Sequence, residues 1–263
     1  MGLKTKRVMK EELKEGRVLL GMGILSDSTD FVEIAGMAGF DFIYLDREHT
    51  TVSWDTLKKL VIAADAVNTP VTIRVEANDD VIIRKALEIG AQGILVPHVC
   101  TKEDTIKAVK AAKFPPMGVR GTELNVRSAR FATQSWATYA PWANRETLVS
   151  ILFEDKKAME HVDEILSVEG LDALCFGPGD YSFSMGIVGN RDHPLVQKDF
   201  DIVIEKCKKR GIYVQYTPVP QDYTNVKKAV DRGVNMLYLG NDMSAFQLQC
   251  KNLMENVYKK IKG

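Results

Sequence analysis

Short apolar runs recur along the chain, and each is followed by a stretch whose apolar positions repeat at helical spacing. The runs read as buried strands and the stretches between them as amphipathic helices. The strand segments are "RVLLGMGI" (17–24), "FDFIYL" (40–45), "VTIRV" (71–75), "QGILVP" (92–97), "TLVSILF" (147–153), "LDALCF" (171–176), "GIYVQYTP" (211–218) and "VNMLYL" (234–239). After the second of them, Trp54, Leu57, Leu60, Val61 and Ala64 mark one face of a helix. After the third, Asn78 or Asp79 is a predicted cap and Gly90 a predicted stop. Thr101 caps the helix after the fourth, and the last helix is predicted over Ser244 to Lys262.

Eight strands alternating with eight helices imply a parallel sheet, and this length of chain suits a closed (β/α)8 TIM barrel. An open doubly wound sheet is the competing arrangement. Against it, "GMGILS" breaks the GxGxxG spacing after the first strand, and no Walker loop is present. No composition shift marks a boundary, so residues 1–263 are expected to form one domain, with the irregular piece 114–146 an elaborated loop.

In such barrels chemistry collects where the strands end. The ends here read "LDREH", "IRVE", "VPHV", "FED", "FGPGD", "QYTP" and "LGND". They place Asp46, Glu48, His49, Arg74, Glu76, His98, Glu154, Asp180 and Asp242 on one rim. Glu154 and Asp180 end neighbouring strands and suit a hard divalent cation; alternatively they are a helix-start acid and an N-cap. "FGPGD" offers main-chain amides to an anion, or is only a tight turn. Arg74 suits a carboxylate or a developing enolate, or pairs with a rim acid such as Glu48. His49 is a candidate general base or metal ligand. No role is assigned to His98, and His161 and His193 read as structural.

Composition narrows the partners. The chain carries 35 basic and 35 acidic residues with no basic block, so no nucleic-acid footprint is expected. The start "MGLKTKRVMKEELKEG" lacks a signal-peptide core, and no run is long enough to span a bilayer. Cys100, Cys175, Cys207 and Cys250 are widely spaced, so reduced thiols and a cytoplasmic location are expected.

The pieces "LDREHT", "VTIRVEANDD", "ALEIGAQGILVPHVCTKEDTIKAVKAAKFPPMGVRG", "ILFEDKKAMEHVDEILSVEGLDALCFGPGDYSFSMG" and "VNMLYLGNDMSAF" run in order over nearly the whole chain. Together they resemble the HpcH/HpaI aldolase family, the 2-oxo-acid class II aldolases related to citrate lyase. The resemblance implies a lyase that cleaves a 4-hydroxy-2-oxo acid into pyruvate and an aldehyde, with pyruvate chelating Mg²⁺, Mn²⁺ or Co²⁺. It further implies Glu154 and Asp180 as metal ligands and the amides of Gly179 and Asp180 as the carboxylate site. Arg74 would stabilise the enolate, and His49 would act as base with Glu88 as its acidic partner. A homo-oligomer, a hexamer or trimer of dimers, is implied, with the last helix exchanged between subunits. Where well-known members carry glutamine, this chain has Leu152, which cannot supply that hydrogen bond. Oxaloacetate-type decarboxylation in the same site, and a non-catalytic barrel that keeps the metal site, are the alternatives. No lysine ends a strand, which argues against Schiff-base chemistry.

Overall fold

The computed structural model describes residues 7–262; the first six residues, part of the N-terminal segment read above, lie outside them. Eight parallel strands close into a barrel in sequence order. They are β1 (Leu19–Ile24), β2 (Phe42–Asp46), β3 (Val71–Arg74), β4 (Gly93–Val96), β5 (Leu148–Phe153), β6 (Ala173–Phe176), β7 (Tyr213–Tyr216) and β8 (Met236–Asn241), with β8 paired back onto β1. The fold is the expected TIM barrel. The predicted helix starts hold as well. Asp79 caps α4 (Asp80–Glu88) by accepting from Val81 and Ile82, and Thr101 and Asp104 form a reciprocal box at the start of α5 (Lys102–Ala112). Gly90, at φ +111°, stops α4.

Two cores follow from strands that are buried on both faces. The larger lies between barrel and helices, where Leu57, Leu60, Val61 and Ala64 of α3 (Trp54–Ala66) meet Ile43, Ile73 and Ile94. The second fills the barrel with Leu19, Phe42, Leu95, Leu148, Leu152, Cys175, Met236 and Tyr238. A short helix that the apolar pattern did not reveal, α1 (Met9–Lys14), contributes Met9 and Leu13 to that interior and so plugs one end.

Interior packing dictates one glycine. Gly21 of β1 pairs with Phe42 of β2, and a Cβ at Gly21 would fall 2.3 Å from the Phe42 ring. Gly21→Ala is therefore expected to destabilise the barrel by about 1–3 kcal/mol, read as a lower denaturant midpoint. Adding Phe42→Leu should restore part of the loss.

Two expectations are corrected here. The helix predicted after β5 breaks at His161 into α7 (Lys156–Glu160) and α8 (Val162–Ile165). The excursion 114–146 is ordered, with a helix α6 (Trp136–Glu146) whose Tyr139 and Ala143 pack with Phe114 and Ala129 in a small core of their own. It follows a helix and precedes a strand, so it lies at the barrel's N-terminal end. Trp136 packs on Phe114, and Arg127 pairs with Asp65, so these residues brace the end opposite the strand termini.

Candidate active site

At the other end the rim residues converge. Adjacent register puts Asp46 beside Arg74, and the two form a fork, Nε to Oδ1 at 2.9 Å and Nη2 to Oδ2 at 2.7 Å. Arg74 Nη1 also lies 3.1 Å from Glu48 Oε2. Burial opposes the Arg74 charge, but the Asp46 hydrogen bonds and the nearby Tyr44, Asp46 and Glu48 outweigh it and raise its pKa. The guanidinium is thus a fixed cation, aimed by its partners rather than by solvent. Asp46 also shapes the loop after β2: its Oδ1 accepts from the Glu48 amide and its carbonyl from the Thr50 hydroxyl.

Glu154 follows β5 and is buried, 8 % exposed. Its Oε1 accepts from the His98 backbone amide at 3.1 Å. Burial raises its pKa first, and the charges of Glu48 and Asp180 raise it further, against a lowering by His98. Glu154 does not serve as the cap of the following helix, because Asp155 does, accepting from Lys157. Asp180 is likewise no N-cap: Pro178 begins α9 (Pro178–Ser184), leaving Gly177 at the cap and Asp180 inside the first turn. The first intrahelical bond is Tyr181 N–H to Gly177 O, so the Gly179 and Asp180 amides precede it. The N-cap alternative for Asp180 is thereby replaced by a first-turn acid, and Glu154 remains an acid immediately ahead of a helix start.

His49 is exposed, with Nε2 3.7 Å from Glu48 Oε2. Glu88 ends α4 and lies toward the barrel's other end, where it pairs with Arg84 at 3.4 Å. A helix that returns antiparallel to its strand must end opposite the rim, so within one subunit Glu88 is not brought to His49. Two rim residues close the scaffold instead. Asp242 accepts from the Leu25 and Ser26 amides, tying β8 to the chain after β1, and Glu76 pairs with Arg47, which lies over Trp54. Leu152 is buried beside Cys175 in the β5–β6 register, so the floor next to Glu154 is apolar, and burial pushes the Cys175 thiol up to about 12. His193 caps its helix as a structural residue, accepting from Leu195.

One residue without an assigned role joins the site. His98 places Nε2 3.1 Å from Glu48 Oε1 and Nδ1 3.2 Å from Glu154 Oε1. Glu48, His98 and Glu154 can each turn a donor atom to one point, all within 4.8 Å of one another. Position in "VPHV" marked His98 as a rim residue, but only the fold reveals the two acids around it. Glu48 Oε2 is buried and lacks a hydrogen-bond partner. A buried, mutually repelling carboxylate pair with an imidazole between its members is chemically suited to a divalent cation, although Glu48 Oε2 is also charge-paired with Arg74.

The HpcH/HpaI aldolase/citrate lyase family model matches residues 20–247. The chain belongs to the HpcH/HpaI aldolase/citrate lyase family. It is 36 % identical over 200 residues to the 2-dehydro-3,6-dideoxy-6-sulfogluconate aldolase of Pseudomonas putida, covering 76 % of this chain and 78 % of that one. It is 32 % identical over 229 residues to the 5-keto-4-deoxy-D-glucarate aldolase of Escherichia fergusonii, covering 86 % and 87 %. Among solved structures, the HpcH/HpaI aldolase from Desulfitobacterium hafniense superposes with a TM-score of 0.90 at 30 % identity, covering 95 % and 96 %. The citrate synthase SbnG superposes at 0.89 with 26 % identity, covering 97 % and 99 %. As a member of this aldolase family the protein is a lyase, and the family generally depends on a divalent metal.

Proposed function

We propose that the protein is a divalent-metal-dependent aldolase that cleaves 4-hydroxy-2-oxo acids into pyruvate and an aldehyde. The observation that carries this reading is the presence on one rim of buried Glu154, with His98 and Glu48 beside it, and of the Arg74 cation that Asp46 holds fixed. The named substrates of the two aldolases above are sugar acids with a keto group and a deoxy carbon, which fits the same reaction class.

Glu154 and Asp180 would hold the cation, which supplies Lewis-acid stabilisation of negative charge developing at the keto oxygen. The Gly179 and Asp180 amides would receive the substrate carboxylate. His49, through a water, would remove the proton from the 4-hydroxyl. The C3–C4 bond then breaks, its electron pair forms the pyruvate enolate, and the aldehyde leaves. Arg74 faces that enolate with a charge that needs no reorganisation, because Asp46 already orients it. Protonation at C3 completes pyruvate. Glu88 could assist His49 only from a neighbouring subunit's helix. A Schiff-base route is disfavoured because no strand among the described residues ends in a lysine. Lys113, lowered to about 8 by burial, donates to the Asn144 and Thr147 carbonyls at the opposite end.

His49→Ala is expected to lower kcat by about 10²- to 10⁴-fold with cation affinity retained; calorimetric titration with Mn²⁺ beside steady-state rates checks both. Function itself is tested by supplying pyruvate, a panel of aldehydes and Mg²⁺, Mn²⁺ or Co²⁺, with oxaloacetate as a separate substrate. Aldol product that disappears on chelation is expected; equal activity after EDTA treatment would sink the reading, and turnover of oxaloacetate alone would move the activity to decarboxylation.

The last helix supports an oligomer. α12 (Asp242–Leu253) and the turns after it expose Met243, Phe246, Leu248, Leu253, Val257, Tyr258 and Ile261. A row of that size is covered in solution by a neighbouring subunit, and sedimentation is expected to show a species well above the 29.4 kDa monomer. Free thiols at all four cysteines suit the cytoplasm. No helix among the described residues is long and apolar enough to cross a membrane.

A further inference from the structure

His98 carries more than its place in the sequence explains. It follows β4 and Pro97 with φ +56°, in the left-handed region. Such backbone is uncommon outside glycine and is held only where surroundings over-determine it. What holds it here is the hydrogen bond that its backbone N–H donates to Glu154 Oε1. From that backbone the imidazole projects into the mouth of the site, 74 % exposed, and nonetheless stands between two nearly buried acids, Glu48 and Glu154. An exposed ion pair stabilises by at most about 1 kcal/mol, too little to account for strained backbone aimed at two carboxylates.

The spacing is that of a ligand set. Imidazole nitrogen and carboxylate oxygen bind small divalent cations at about 2.0–2.2 Å, so neighbouring donors on one ion stand roughly 3 Å apart. The His98 separations are 3.1 Å to Glu48 and 3.2 Å to Glu154. Glu48 is also charge-paired with Arg74 at 3.1 Å, so Glu154 is the partner with more freedom to share an ion.

We propose that His98 is a protein ligand of the cation held by Glu154, adding an imidazole donor to a site otherwise made of oxygen. The proposal rests on the reading of Glu154 as a metal ligand. Its consequence is selectivity: imidazole suits Mn²⁺, Co²⁺, Ni²⁺ and Zn²⁺, whereas an all-oxygen set suits Mg²⁺. The site therefore discriminates against Mg²⁺.

Electron spin-echo spectroscopy of the Mn²⁺-loaded full-length protein tests this without reference to turnover. The wild type is expected to show modulation from one directly coordinated ¹⁴N. His98→Ala and His98→Gln should both lose that signal while still binding Mn²⁺. Their affinity for Co²⁺ should fall about 10- to 100-fold, and their affinity for Mg²⁺ should change less than about threefold. His49→Ala should keep the nitrogen signal. Mn²⁺ bound without ¹⁴N modulation, or modulation that survives in both His98 variants, overturns the proposal and leaves the Glu154 reading standing. Undiminished Mn²⁺ affinity in Glu154→Gln would instead overturn the Glu154 reading, and this inference with it.

Discussion

Glu154→Gln is expected to lower kcat by about 10³-fold or more while the barrel remains folded. The amide keeps the shape and can still accept from the His98 amide, but it removes the charge that the cation needs. Stability gives an independent check. The folded-state pKa of Glu154 lies above the ordinary carboxylate value because of burial, so its favourable contribution belongs to low pH and is lost as pH rises through that raised value. Above that raised value the ionised group opposes folding. The glutamine variant should accordingly unfold at the same or a higher temperature than wild type without added cation. Added Mn²⁺ should raise the wild-type Tm and leave the variant unmoved. Equal stabilisation of both by Mn²⁺ would count against Glu154 as a ligand.

Arg74→Lys is expected to lower kcat and kcat/KM together by about 10²- to 10³-fold, on the order of 3–4 kcal/mol of transition-state stabilisation. The charge survives in lysine, but the two parallel bonds to Asp46 do not, and with them goes the fixed aim. Arg74→Ala adds a structural effect. Asp46, with a side chain 2 % exposed, would be left buried and unpaired, a loss of about 3–5 kcal/mol. Asp46→Asn in that background should recover stability and not activity. Denaturant midpoints and steady-state rates on the four proteins separate the two roles. A lysine variant with undiminished kcat would remove Arg74 from the reaction.

Much of this was legible in the chain. Apolar runs such as "VTIRV" alternate with helical faces such as Leu57, Leu60, Val61 and Ala64, and the closed barrel follows from their count. Strand ends then locate the rim, because every parallel strand points the same way. What stayed hidden was set by distance in sequence. His98 reaches Glu48 and Glu154 across fifty or so positions on each side, and no local pattern encodes a left-handed backbone there. α1 was illegible because six residues are too few to show a period, although Met9 and Leu13 fill the barrel floor. The excursion 114–146 reads as an elaborated loop because Trp136 and Tyr139 look alike in a loop and in a small core. Only its position between a helix and the next strand decides that it braces the far end.

Enolate formation at this rim can be measured without knowing the aldehyde. Pyruvate in D₂O, followed by mass spectrometry, is expected to take up deuterium at its methyl group when Mn²⁺- or Co²⁺-loaded protein is added. The exchange should stop with EDTA and fall steeply in Arg74→Lys and Glu154→Gln. Exchange that EDTA leaves untouched, or no exchange at all by cation-loaded protein, would contradict a metal-assisted pyruvate enolate as the centre of this enzyme's chemistry.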